Sequence, residues 1–127
     1  MPAKAALLEL MDRVAGADSL DEVYESALNC LQETLGVSRA SLLVFDPQGV
    51  MRFVAWKGLS DSYRRQVEGH SPWQVDEANA TSILVENVAL DTDLAPYRPI
   101  FDREGIAALA FIPLRFGSKL LGKFMLY

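Results

Sequence analysis

The sequence predicts an α+β fold: a central antiparallel sheet of five or more strands with helices on both faces. Three observations predict it. Residues 3–35 hold two apolar stripes at helical spacing. After Gly36 the period shifts to two, and two strand pairs follow, each joined by a tight turn. Short capped helical segments lie between the pairs. The order reads helix, helix, strand, strand, helix, strand, helix, strand, strand.

The first helix is expected over Ala3–Ala15, where Leu7, Met11 and Val14 fall at i, i+4, i+7 beside Leu8 and Ala15, and Gly16 ends it. The second opens on Ser19 and Glu22, an S-x-x-E capping box. Leu20, Tyr24, Ala27, Leu28, Leu31 and Leu35 share its face, and Gly36 supplies the stop. Arg39–Phe45 and Val50–Lys57 read as a hairpin around Asp46-Pro47-Gln48-Gly49. There Asp suits position i, Pro presets φ at i+1 and Gly suits i+3.

Ser60 caps a short helix running to about Glu68. Gly69–Trp73 is irregular and Gln74–Thr81 is loop. Ser82–Val88 is a short strand whose Glu86 marks an edge or half-exposed face. In Leu94–Glu104, Pro96 and Pro99 put the helix start near Pro99, and Gly105 ends it. Ile106–Leu114 and Lys119–Tyr127 are strands joined by Arg115–Ser118, with Gly117 available for a positive φ.

Composition bounds the function. The chain has 127 residues, 50% apolar and 23% charged, which fits one domain over residues 1–127. Its net charge is −5 and the basic residues are not concentrated anywhere. The footprints of a nucleic-acid binder and of a polybasic membrane contact are missing. Ile106–Leu114 is about half a membrane span and contains Pro113. Cys30 is the single cysteine, so disulfide frameworks and multi-cysteine metal sites are excluded. One thiol and no leader pattern point to a reducing, cytoplasmic setting. With one histidine, His70, the sequence offers no nucleophile–base pair, and the domain reads as non-enzymatic. Asp76, Glu77, Asp91 and Asp93 lack the ordered spacing of a calcium loop and read as solvated charge. The chain stops inside an apolar strand, Phe124–Tyr127, so the expectation is a domain cut before its last element.

The run Gly105–Leu114 followed by Leu120-Leu121-Gly122 resembles the closing hairpin of a GAF domain. Leu35–Leu42 resembles that family's junction from helix to first strand, and Ala55–Ser60 the end of its second strand. The resemblance spans nearly the whole chain and lacks only the family's final helix. It implies a PAS-related, profilin-like sheet with the terminal helices on one face and a ligand pocket on the other. It also implies a regulatory module of a signalling protein. The Gly-His-Ser-Pro-Trp stretch at 69–73 resembles that of GAF domains in bacterial sensor histidine kinases. The family's first and final helices often form a parallel bundle with a second copy, so a homodimer is expected. The Asn-Lys-Phe-Asp-Glu signature of cyclic-nucleotide binders is absent. Bilin-binding members use a pocket-loop cysteine, whereas Cys30 falls on the second helix and reads as a small buried hydrophobe. Nothing beyond the existence of His70 supports haem.

Within that fold the candidate ligand-binding residues are Trp56, His70, Ser71, Trp73, Tyr97 and Arg98: aromatic walls, one titratable group and one cation. Arg98 suits a carboxylate or phosphate, and His70 can donate or accept near neutral pH. Each has a plainer alternative. His70 is then a turn residue, Trp73 a plug at the core's end, and Trp56 packing under the third helix. Arg98 is then solvated or paired with Asp91 or Asp93. Two functions remain open. One is a module sensing an unidentified small molecule. The other is a ligand-free dimerisation module whose pocket is filled by its own Trp73, Phe53 and Phe111.

Overall fold

The structure is a computed structural model and describes residues 8, 15–16, 18–75, 77, 79–116 and 119–127. The helix expected over Ala3–Ala15 lies outside these residues except for Leu8 and Ala15, both helical and exposed. Helix α1 spans Leu20–Leu35, α2 Asp61–Val67 and α3 Arg98–Glu104, the last preceded by a 3-10 turn at Ala95–Tyr97. The strands are β1 (Ala40–Phe45), β2 (Met51–Lys57), β3 (Ile83–Val85), β4 (Leu109–Phe116) and β5 (Lys119–Leu126). They form one sheet in the order β2-β1-β5-β4-β3 with every neighbour antiparallel.

Local chemistry sets the boundaries. Ser19 Oγ accepts from Glu22 N–H, while the return bond from Glu22 Oε2 reaches Asp18 N–H, one residue earlier than a capping box requires. The Asp46 carboxylate accepts from the N–H of both Gln48 and Val50 at 2.9 Å, fixing the first hairpin. Ser60 Oγ accepts from Tyr63 N–H, and Glu104 accepts from both N–H and Oγ of Ser60. One carboxylate thus ties the end of α3 to the start of α2. The edge strand β3 is only three residues long, with Leu84 largely exposed. The last hairpin is longer than the sequence implied, with β4 running to Phe116.

Period-two alternation divides the apolar residues between two cores. On one face, Tyr24, Leu28 and Leu31 of α1 pack on Ala40, Leu42, Val54, Ala55, Phe124 and Leu126. Leu20 and Leu35, the ends of the predicted α1 stripe, stay exposed. On the other face, α2, α3 and the long connections bury Tyr63, Val67, Trp73 and Phe101 against Leu43, Met51, Phe111 and Met125.

Two bulges adjust the alternation. Leu42 pairs with Ala55 and Leu43 with Phe53, leaving Val54 extra. Val54 and Ala55 then both join the α1 core, and Trp56 returns to the side of Phe53, their rings 6.4 Å apart edge to face. In the last hairpin Leu121 is the extra residue. β5 lies at the centre of the sheet, and Gly122 leaves no room for a side chain against β1. A Cβ there would sit 2.0 Å from the Leu43 carbonyl oxygen.

Replacing Gly122 by Ala therefore forces two paired strands apart. The expected cost is about 3 kcal/mol or more, at the upper end for overpacking. Gly36→Ala meets no atom within 4 Å and strains only a φ of 68°, a cost of about 1–2 kcal/mol. Urea unfolding of both variants checks the ranking.

Candidate functional site

A narrow, partly open cavity lies between the sheet and the shorter helices. Leu43, Phe53, Phe111, Lys123 and Met125 form its floor, Tyr63, Val67 and Phe101 one wall, and His70 and Tyr97 another. The volume open inside it is about 10 Å³, roughly one water. The apolar lining follows from strand parity, since residues facing α2 and α3 must be buried. Lys123 breaks the pattern. It shares the inner face of β5 with Met125 and is 1% exposed.

The Lys123 ammonium donates to the His70 carbonyl oxygen at 2.9 Å and sits 4.9 Å above the Phe111 ring. No carboxylate lines the cavity among the described residues. Burial pulls the Lys123 pKa down to about 7. Burial, and then the positive charge of Lys123, lower His70 to about 4, so its imidazole is neutral at pH 7. Tyr63 is also buried, and its hydroxyl lies beside that of Tyr127 without a hydrogen bond of ordinary geometry. Its phenol is pushed up by the same burial. The neighbouring hydroxyls of Ser41 and Tyr127 lie 3.2 Å apart.

The sequence-predicted residues divide by position. His70 and Tyr97 meet at the cavity, with ring centroids 5.0 Å apart. Trp73 packs beside it, 6.4 Å from Phe111. Ser71 supports the same loop: its Oγ accepts from Trp73 N–H and donates to Trp73 O. Trp56 lies outside on the β2 edge, 38% exposed, with the Arg64 guanidinium 3.9 Å from its ring centre. Arg98 is also outside. It donates to the Asp91 carbonyl at 3.1 Å and borders an open surface groove with Asn87 and Asp102. Cys30 is half-buried on α1, across the sheet from the cavity.

The family model described as GAF domain matches residues 17–127. The chain belongs to the GAF domain family. Among solved structures it is similar to a domain assigned to a two-component sensor histidine kinase protein of Sinorhizobium meliloti. Identity is 46% with a TM-score of 0.77, over 87% of this chain and 74% of that one. The GAF domain of a phosphoenolpyruvate-protein phosphotransferase from Coxiella burnetii shares the fold at 20% identity. Its TM-score is 0.71 over 99% and 77% of the two chains. The corresponding Acinetobacter domain does so at 15% identity and TM-score 0.65, over 98% and 75%. Among curated proteins, none matches. The five-stranded antiparallel sheet is that of the GAF fold, and such domains are regulatory rather than catalytic. Among the described residues no helix of this GAF domain is long and apolar enough to cross a membrane.

Sequence reasoning missed Lys123 and Tyr63 as cavity residues. A signal existed for the lysine: it stands at an inner-face position of a strand that the GAF topology places at the sheet's centre. Tyr63 read only as an apolar helix position, because nothing local shows that it lines the cavity.

Both titratable cavity groups have folded pKa values below their ordinary ones of 6.5 and 10.5. The unfolded chain therefore binds more protons, and stability rises with pH. His70 contributes the rise between about pH 4 and 6.5, and Lys123 the rise between about pH 7 and 10.5. Tyr63 and Tyr127 titrate above their ordinary range and add nothing near neutrality. In Lys123→Met the alkaline rise is expected to vanish and the acid-side rise to remain. Urea midpoints across the two windows read both slopes. An unchanged alkaline slope in the variant contradicts the assignment.

Proposed function

We propose that this GAF domain is a small-molecule-sensing regulatory module of a bacterial sensor histidine kinase, acting in the cytoplasm. Ligand entry would be coupled to a helix interface between two copies. The observation that carries the reading is the narrow aromatic cavity with a buried lysine at its floor. Specific small-molecule sites combine apolar walls with a few placed polar groups in this way. His70 and Tyr97 are the proposed contacts from the loop side, and Ser71 and Trp73 hold that loop in place. The exposed leucines at both ends of α1 support helix association. The similarity to the Sinorhizobium meliloti domain supports the kinase context.

A second reading rests on the same cavity. Its volume is about 10 Å³, room for little more than a water as it stands. A GAF module that only holds two chains together needs no more than this.

Native mass spectrometry of the freshly purified protein separates the two. A dimer carrying a defined extra mass is expected for the sensor, and His70→Ala should lower the occupied fraction without changing the subunit count. A dimer of bare polypeptide mass at every concentration, with His70→Ala indistinguishable, leaves the scaffold reading standing.

A further inference from the structure

Lys123 presents an unbalanced charge to the cavity. An ammonium has three donors, and the His70 carbonyl takes one of them. No carboxylate supplies a counter-ion among the described residues lining the space. A buried cation without a partner is costly, and a guest anion removes that cost. Tyr63 adds a ring to the cavity wall. The remaining walls are largely aromatic, with Phe53, Tyr97, Phe101 and Phe111.

Resting on the sensing reading, we infer that the ligand is a small organic monocarboxylate with a flat apolar body. Its carboxylate pairs with the Lys123 ammonium. One cation balances one charge. A phosphate dianion would bring a second charge into a cavity that holds no second cation. The ring walls suit an aromatic body, which packs edge to face or offset against them.

The small volume gives the site a built-in response. A guest larger than a water must displace a wall, and the His70 segment belongs to no strand. A carboxylate at the Lys123 ammonium also competes with the His70 carbonyl, the bond that holds that segment to the sheet. Ligand charge and loop position are therefore coupled through one nitrogen atom. Because the amine is about half neutral near pH 7, a carboxylate that requires the ammonium draws a proton into the complex at alkaline pH.

The test uses benzoate and its neutral isostere benzamide as probes of the natural protein and of Lys123→Met. Calorimetry is run alongside tryptophan fluorescence. Benzoate is expected to bind, and benzamide to bind roughly 30-fold or more weakly, the usual scale for leaving one side of a buried charge pair empty. Lys123→Met should erase that preference. Above pH 7, benzoate binding should take up protons, seen as a dependence of the enthalpy on the buffer's ionisation heat. If Lys123→Met does not fold, proton uptake by the natural protein decides alone. Equal affinity for the two probes, or benzoate binding without proton uptake, overturns the carboxylate assignment and leaves a small-molecule site in place. If benzoate fails to bind, the assignment falls. A bound mass in the native spectrum then decides the sensing reading independently.

Discussion

The bond from the Lys123 ammonium to the His70 carbonyl joins the centre of the sheet to the connection that borders the cavity. A lysine at this inner-face position cannot reach water, so it needs an acceptor from the elements packed above it. The segment after α2 supplies one from its backbone. That places His70 against Tyr97 and Phe111, and the Ser71 turn then directs Trp73 into the same layer. The depressed basicity of both Lys123 and His70 follows from the same burial. The site is thus a consequence of a charged residue standing on the wrong side of an otherwise apolar strand.

The rest of the architecture works to keep that strand central. β5 hydrogen-bonds on both sides, to β1 and β4, and Gly122 allows the β1 backbone to approach closely. The Val54 bulge turns Trp56 toward the cavity side of β2. Glu104 fastens the end of α3 to the start of α2 by accepting two hydrogen bonds from Ser60. Helix α1 contributes from the other face only, covering β1 and β2 through Tyr24, Leu28 and Leu31. Among the described residues, those lining the cavity include none of α1, which lies across the sheet from it.

Several site residues were legible in outline. The irregular Gly69–Trp73 stretch and the Pro-marked start of α3 were visible because turn and cap chemistry is local. His70 and Tyr97 were singled out, and they do come together. Trp56 and Arg98 have the same residue types but face the β2 edge and an outer groove. Side-chain direction there depends on a bulge and on which carbonyl an arginine finds, and neither has a local signature. The ends of the last hairpin moved for a similar reason, since pairing with the neighbouring strand extends β4 to Phe116.

By itself, the sequence determined the order of helices and strands from Leu20 onward, both hairpins and the caps at Ser19 and Ser60. Each rests on contacts within a few residues along the chain. The family resemblance in its motifs added the two-faced sheet. Only the tertiary structure decided that Lys123 is buried, that Tyr63 lines the cavity, and that the cavity is narrow. Burial and hydrogen-bond satisfaction are sums over residues far apart in the chain. Those sums exist only once the strands have chosen their register.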